Sequence, residues 1–338
     1  MFKKSKANAR FLSPLNGFKE EVQPIEYRKD TLTDTWSRVN VNRAKRAKQA
    51  RREEPHAELI KLSKENCSFC TKNIEKATPK FLPEISKKGR IKRGETVVFP
   101  NLFPFAEYHA TATITKKHYQ DIGEFTEVQI RDTIHASIDF FKRIEALGAK
   151  YFSLSWNHLP PSGASIIHPH VQLIGDEEPT YMTNTYLNAS KKYYKKNHEN
   201  YWLRLVTEEE KLGERFIGRI GNTAWISSFA PMGNNEVSMV YEGGPSILDL
   251  KSKDVSDISK GIRRILKGYA SIGKTVFNLT TYSGPKDMEH FCLNAKIITR
   301  PSTQKYYTAD AGFMETLHGE RIVENMPESL AAELRRLF

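Results

Sequence analysis

The segment Ser165-Ile-Ile-His-Pro-His-Val-Gln-Leu-Ile174 holds two imidazoles two residues apart, with an amide two residues further on. Alternate residues of a strand share a face, so His168, His170 and Gln172 are expected to point the same way. Pro169 lacks an N–H, which predicts an edge or bulged strand here. Such a pair can divide its labour, one imidazole held by a metal and the other free as a nucleophile. If a backbone carbonyl holds the Nδ1–H of neutral His170, its Nε2 is presented to an electrophile. Attack on an α-phosphorus would give a nucleotidyl-imidazole suited to passing the group onward. Gln172 can donate an amide N–H to phosphoryl oxygens. Upstream, the turn-rich Asn157-His-Leu-Pro-Pro-Ser-Gly-Ala-Ser165 suits presentation of polar groups and backbone N–H to a phosphate.

A second pair of groups stands at Cys67-Ser-Phe-Cys70, the knuckle spacing that lets two thiolates chelate one ion. A tetrahedral structural zinc needs two more ligands, and His109, His118, His135, His158, His168 and His170 are the candidates in the same half. His118 follows a predicted strand and a loop could bring it to the metal, whereas His135 falls within a predicted helix. The favoured set is Cys67, Cys70, His118 and His168. No thioredoxin-like βαβ context surrounds the motif, which disfavours a redox role.

These groups need a scaffold, and the chain reads as the same plan used twice. Thr96–Phe105 and His109–Ile114 read as strand, turn, strand. Ile130, Ile134, Ile138, Phe141 and Ile144 mark a helix from Val128 to Leu147. A strand Tyr151–Trp156, the turn-rich loop and the His-Pro-His strand follow. The second copy runs through strands at Ala224–Pro231 and Glu236–Val240 and a helix marked by Val255, Ile258, Ile262, Ile265, Tyr269 and Ile272. It ends in strands at Thr275–Thr280 and Phe291–Ile298. In this alignment His168 meets Cys292, His170 meets Asn294 and Gln172 meets Lys296, so the first copy keeps the chemistry. Between the copies, Tyr186–Glu208 is predicted helical, and its Lys191–Lys196 run reads as a solvated face.

Composition bounds the rest. The 338 residues are 39% hydrophobic and 11% aromatic, enough for a sizeable core, and no apolar run approaches the length that crosses a bilayer. Three cysteines and no apolar stretch after Met1-Phe-Lys-Lys point to a reducing compartment, with the cytoplasm expected. A net charge of +12 favours anionic partners. The densest basic run, Arg38–Arg52, lacks the interleaved aromatics of a single-strand binding platform.

At these residues the chain resembles the galactose-1-phosphate uridylyltransferase family, a branch of the histidine-triad superfamily. Tyr27-Arg-Lys-Asp-Thr-Leu-Thr-Asp-Thr-Trp36 and Asn42-Arg-Ala-Lys-Arg46 resemble its opening segment, and Cys67-Ser-Phe-Cys70 its zinc knuckle. Asn101-Leu-Phe103 falls where the family holds the nucleotide. Asn157, Gly163, Ser165, His168, His170 and Gln172 match its catalytic pattern in order and spacing. Ala311-Gly-Phe313 and Pro327–Leu337 are similar to its end.

The resemblance implies an α+β fold of two tandem histidine-triad-like halves, each an antiparallel sheet with packed helices. Residues 1–185 would form the catalytic half and 186–338 a degenerate one. It implies ping-pong transfer of a nucleoside monophosphate through His170 with Gln172 assisting. Arg43, Arg46, Phe69, Asn101, Phe103, Asn157, Gly163 and Ser165 would bind the nucleotide. One zinc per chain on Cys67, Cys70, His118 and His168 and a homodimer are implied as well. Glutamine at 172, where hydrolase branches carry a third histidine, fits a leaving group that needs no protonation, such as a sugar 1-phosphate. Cys292-Leu-Asn294 replaces a His-x-His that serves another metal in some members, which speaks against a second ion. Gly312-Phe-Met-Glu315 departs from the family's sugar-contacting segment. A hexose-1-phosphate uridylyltransferase using a nucleotide sugar and a sugar 1-phosphate is the leading expectation. An ADP-sugar phosphorylase with phosphate as acceptor is the runner-up. A zinc-stabilised nucleic-acid-binding protein ranks last, because the ordered Asn, Gly, Ser, His and Gln set has no role there; no membrane partner is expected.

Overall fold

In a computed structural model, residues 1–45, 56–303 and 309–338 are described. The chain begins with β1 (Lys3–Ser13), β2 (Lys19–Lys29) and β3 (Trp36–Val39), followed by two short helices, α1 (His56–Lys64) and α2 (Ile74–Ala77). The first repeat comprises β4 (Ile91–Arg93), β5 (Thr96–Pro100), β6 (Tyr108–Thr113), α3 (Glu127–Glu145), β7 (Tyr151–His158) and β8 (His170–Asp176). Two helices intervene, α4 (Tyr181–Asn197) and α5 (Tyr201–Leu212). The second repeat is β9 (Phe216–Ile220), β10 (Thr223–Ser227), β11 (Val237–Tyr241), α6 (Ser252–Ser271), β12 (Phe277–Tyr282) and β13 (Asn294–Thr299). The short α7 (Phe313–Thr316), β14 (Arg321–Val323) and α8 (Pro327–Arg335) close the chain.

The fold is α+β, and the repeat is plain in its topology. Ten strands form one antiparallel sheet in the order β4-β5-β6-β8-β7-β12-β13-β11-β10-β9, so each half mirrors the other about the β7–β12 pair. The two half-sheets are thus one sheet. At its centre Ser155 pairs with Thr280, and their hydroxyls lie 2.9 Å apart.

Strand alternation sorts the two faces. Leu154, Trp156, Val171, Leu173, Leu279 and Ile297 point into the main core, which α3 and α6 cover. The predicted helical stripes are the buried faces of these two helices. Gly261 of α6 lies against Trp225: a Cβ there would sit 2.1 Å from the indole, so no larger residue fits without displacing it. On the opposite face, α4 and α5 cover the second half through Tyr186, Leu187, Trp202 and Val206, packed on Ala224, Ile226 and Val240. The helix predicted across Tyr186–Glu208 breaks in two. His198 adopts a left-handed conformation and Asn200 caps the next helix by accepting from Trp202 N–H.

Two expectations change. β8 lies between β6 and β7 and is no edge strand. Pro169 is tolerated because it immediately precedes the strand, where its carbonyl still accepts from Ile114 N–H. The opening segment, counted with the first half, lies against the second. β3 pairs in parallel with β14, and Thr31 hydrogen-bonds Tyr201.

Arg28 of β2 secures this docking. It is fully buried and bonds Glu26 at 2.7 Å, both carboxylate oxygens of Glu328 at 2.9 and 3.0 Å, and the Phe229 carbonyl. Burial works to raise the two carboxyls, but hydrogen bonds and charge from Arg28 outweigh it and hold both below their ordinary value of 4.5. A depressed carboxyl stabilises the fold above its unfolded value, and that contribution is lost as pH falls through the folded one. Arg28→Met is therefore expected to cost about 3–5 kcal/mol near neutral pH. The gap from wild type should narrow as pH drops below the carboxylate range, as urea unfolding at stepped pH would measure.

Candidate functional site

The loop from Lys64 to Asn73 is wound by Cys70 N–H to Cys67 carbonyl and Asn73 N–H to Cys70 carbonyl bonds, and the Asn73 amide donates to the Cys67 carbonyl at 2.8 Å. These contacts turn both thiols towards the start of β8. The ligand atoms of Cys67, Cys70, His118 and His168 lie within 4.8 Å of one another in a buried group. His168 Nδ1 is 3.9 Å from Cys67 Sγ and 3.8 Å from Cys70 Sγ, and His118 Nδ1 is 3.5 Å from Cys70 Sγ. A tetrahedral ion with ordinary metal–sulfur and metal–nitrogen lengths sets sulfur–nitrogen edges of about 3.6 Å, so the spacings fit one ion.

The outer contacts fix which nitrogen faces the sulfurs. His168 Nε2–H donates to the Thr115 carbonyl at 2.8 Å, and His118 Nε2–H donates to Ser63 Oγ at 2.9 Å. Both Nδ1 lone pairs are left for a ligand role. Burial lowers the His168 pKa to about 4 and that of His118 below its ordinary value, so both rings are neutral. Burial, with Cys67 beside it, pushes the Cys70 thiol up to about 11. A metal ion offsets that penalty by binding the thiolates.

His170 begins β8, and its Nδ1–H donates to the His168 carbonyl at 2.8 Å. Its Nε2 lone pair is therefore not engaged by that bond. Burial lowers its pKa, which keeps the ring neutral. Phe69, carried on the knuckle between the two thiols, stands edge-on to the His170 ring with centroids 5.3 Å apart. The metal group and the second histidine are thus in contact through one aromatic ring.

Gln172 shares the face of His170 and is held by a residue that spacing did not single out. His109 Nδ1 accepts from Phe105 N–H, and its Nε2–H donates to Gln172 Oε1 at 3.0 Å. The Gln172 carbonyl is thereby fixed and its NH2 is left to donate. His109 stood among the possible metal ligands and is not in that group; the register of β6 against β8 sets it opposite Ile174, two residues along from Gln172, which its ring reaches instead. His158 is also outside the metal group, stacked on Phe277 and edge-on to Phe125. His135 lies in α3.

The polar loop folds back on the centre of the sheet. Asn157 accepts from the Asn278 amide at 2.6 Å, and the same amide donates to the Ser162 carbonyl. Leu159 is buried with φ 68° and ψ 161°, a conformation that costs about 1–3 kcal/mol and is held by its surroundings. Gly163 takes φ 93° and, like Ser165, is exposed. Asn101 accepts from Phe103 N–H at 2.9 Å and its amide lies 3.2 Å from His109, so the Asn-x-Phe turn adjoins the His109–Gln172 pair. The Phe103 ring itself is 83% exposed. Arg43 is placed elsewhere: it follows β3, which pairs with β14, and lines one pocket with Asn234, Gly312, Phe313 and Glu315 of the second half. Arg46 lies outside the described residues.

Protein prepared without a histidine tag is expected to contain about one metal ion per chain by elemental analysis. Cys67→Ser should lose it and unfold at lower temperature, because binding to such a group is coupled to folding. Metal-free wild type with unchanged stability would contradict the assignment.

No family model matches the chain. An uncharacterised protein of Archaeoglobus fulgidus is 30% identical over 324 residues, 96% of each chain. Among solved structures, an ADP-glucose phosphorylase from Arabidopsis thaliana with bound ADP-glucose superposes with a TM-score of 0.70 at 17% identity. That match covers 92% of this chain and 98% of the other. A uridylyltransferase superposes with a TM-score of 0.67 at 18% identity, covering 92% and 97%. These likenesses agree with the mirrored ten-stranded sheet. The chain belongs to one family with the Archaeoglobus fulgidus protein, and its fold is that of the galactose-1-phosphate uridylyltransferase-like branch of the histidine-triad superfamily.

Proposed function

We propose that this protein is a nucleotidyltransferase that moves a nucleoside monophosphate from a nucleotide sugar by way of His170. The supporting observation is the bond from His170 Nδ1–H to the His168 carbonyl, which orients the ring and reserves Nε2 for phosphorus. In the first step Nε2 attacks the α-phosphorus and a P–N bond forms. The bond to the sugar 1-phosphate breaks, and that group leaves with the electron pair. An acceptor phosphate oxygen then attacks the same phosphorus and releases His170. Gln172, held by His109, donates an N–H to the phosphoryl oxygens as negative charge builds there. An amide cannot protonate a leaving group, and a phosphate ester anion needs no proton.

Asn157, Gly163, Ser165, Phe69, Asn101 and Phe103 are assigned to nucleotide binding. Arg43 joins that set only if the segment around it reaches a second chain, as the homodimer in this reading would allow. The Cys2His2 group takes one zinc, which when bound ties the knuckle to the start of β8. The favoured activity is hexose-1-phosphate uridylyl transfer between a UDP-sugar and a sugar 1-phosphate. An ADP-sugar phosphorylase is the second reading, favoured by the likeness to the ADP-glucose phosphorylase.

Intact mass after incubation with UDP-glucose or ADP-glucose separates the two, since the added mass is that of the transferred nucleotide. His170→Gly is expected to remain folded and metal-loaded yet form no adduct. A label on any other residue, or normal turnover in that variant, would overturn the mechanism. His109→Phe should slow adduct formation roughly 10- to 100-fold, less than the loss of a direct oxyanion donor, with little change in substrate affinity.

A further inference from the structure

β7 lies between β8 of the first repeat and β12 of the second. Ser155 pairs with Gln172, and two residues further along these antiparallel strands Asn157 comes opposite His170 on the same face. On its other side Asn157 pairs with Asn278. A row of three side chains thus crosses the junction of the halves, with His170 at one end. Arg300, which follows β13, stands behind Asn278 at the other.

The hydrogen bonds along this row have a fixed direction. The Asp310 carboxylate can only accept, and it takes Arg300 through both oxygens at 2.6 to 3.0 Å. The two side chains are 19% and 18% exposed, so this is no freely solvated surface pair. Arg300 can only donate, so Asn278 must turn its Oδ1 to the guanidinium, at 2.9 Å. The Asn278 NH2 then faces the other way, donating to the Ser162 carbonyl at 2.8 Å and to Asn157 Oδ1 at 2.6 Å. A carbonyl can only accept, so both ends of Asn278 are determined by partners that admit one polarity. The Asn157 amide takes the one orientation left, with Oδ1 towards Asn278 and Nδ2 away from it. That Nδ2 lies 3.7 Å from the position a Cβ on the exposed Gly163 would occupy, so it faces the open side of the loop.

We infer that Asn278 and Arg300, from the second repeat, are positioning residues for the transfer step: they orient the Asn157 amide so that its N–H meets the phosphoryl group carried by His170. The inference rests on the nucleotidyl-transfer reading. Asn157 is the residue that touches substrate, and Asn278 and Arg300 act through it. Were Asn278 free to turn, a flip of the Asn157 amide would set an acceptor against phosphoryl oxygens and repel them. A dipole fixed before charge develops needs no reorganisation when it does. The Ser162 carbonyl on the same NH2 ties the turn that begins at Leu159, φ 68°, to the same anchor, so loop and amide are set by one group.

Rapid-quench mass spectrometry of the His170 adduct tests it on the full chain, with whichever of UDP-glucose and ADP-glucose labels the wild type. The variants are Asn278→Asp, Arg300→Ala, Asn157→Ala and Asn157→Ala combined with Asn278→Asp. Asn278→Asp keeps the side chain's shape, leaves Arg300 an acceptor and removes both N–H groups. It should lower the maximal rate of adduct formation roughly 10- to 100-fold with the half-saturating concentration little changed, the mark of an interaction made only in the transition state. Asn157→Ala should be at least as slow. Adding Asn278→Asp to it should cost less than about twofold more, because a residue that acts through Asn157 then has nothing to position. A purely structural or charge effect of the exchange would persist in that background. Arg300→Ala should be slowed roughly tenfold and partly restored by millimolar guanidinium. Should Asn278→Asp fail to fold, Arg300→Ala carries the test through that rescue and the same cycle with Asn157→Ala. Wild-type rates in the folded variants, or losses that simply multiply with that of Asn157→Ala, overturn the positioning role while the wild-type adduct stands. Absence of any adduct in the wild type overturns the transfer reading, and this role with it.

Discussion

The two bonds that flank Pro169 govern the arrangement of the site. His168 gives its Nε2–H to the Thr115 carbonyl, and the carbonyl of His168 receives the Nδ1–H of His170. The first bond leaves His168 Nδ1 facing the Cys2His2 group; the second leaves the His170 Nε2 lone pair unengaged by that bond. A proline between them supplies no N–H of its own, and its fixed φ sets the turn by which the chain leaves the polar loop and enters β8. Rotation of either ring would require breaking a buried hydrogen bond, which costs about 1–3 kcal/mol or more. The orientation of the two imidazoles is therefore built into the backbone rather than left to side-chain choice.

Around that junction the molecule places rigid elements on one side and polar groups on the other. α3 and α6 bury the apolar face of a single ten-stranded sheet, so neither half can rotate against the other without exposing Trp156, Leu279 and Ile297. The polar face is covered over the second half by α4 and α5. This asymmetry separates the repeats: the same pleat presents His170 and Gln172 in one half, and Asn294 and Lys296 in the other. Asn294 even repeats the backbone contact, its amide donating to the Cys292 carbonyl at 3.0 Å as His170 donates to His168.

Interactions near a reacting phosphate must hold their shape before charge develops, because reorganising dipoles in a dry site is costly. The His109–Gln172 bond and the Asn157–Asn278 bond supply such restraint from neighbouring strands. Both join residues far apart in the chain, and the second joins the two repeats. In the proposed mechanism, the second repeat can thus set the position of groups in the first.

Several of these features follow from local sequence. Period-two placement of His168, His170 and Gln172, the Cys-x-x-Cys spacing and the helical stripes in both repeats are determined within a few residues, because side-chain direction follows from backbone period alone. The duplicated order of elements was legible for the same reason. Other features depend on which strand lies beside which. Only the tertiary structure placed β8 inside the sheet, moved His109 from the possible metal ligands to Gln172, and put Arg43 in one pocket with Gly312 and Glu315. It also docked the first 39 residues on the opposite half through Arg28 and Glu328. Such pairings join residues as many as 300 positions apart, and no local periodicity encodes them. Global packing selects them, where burying a charge requires a partner and a sheet must close around its own dyad.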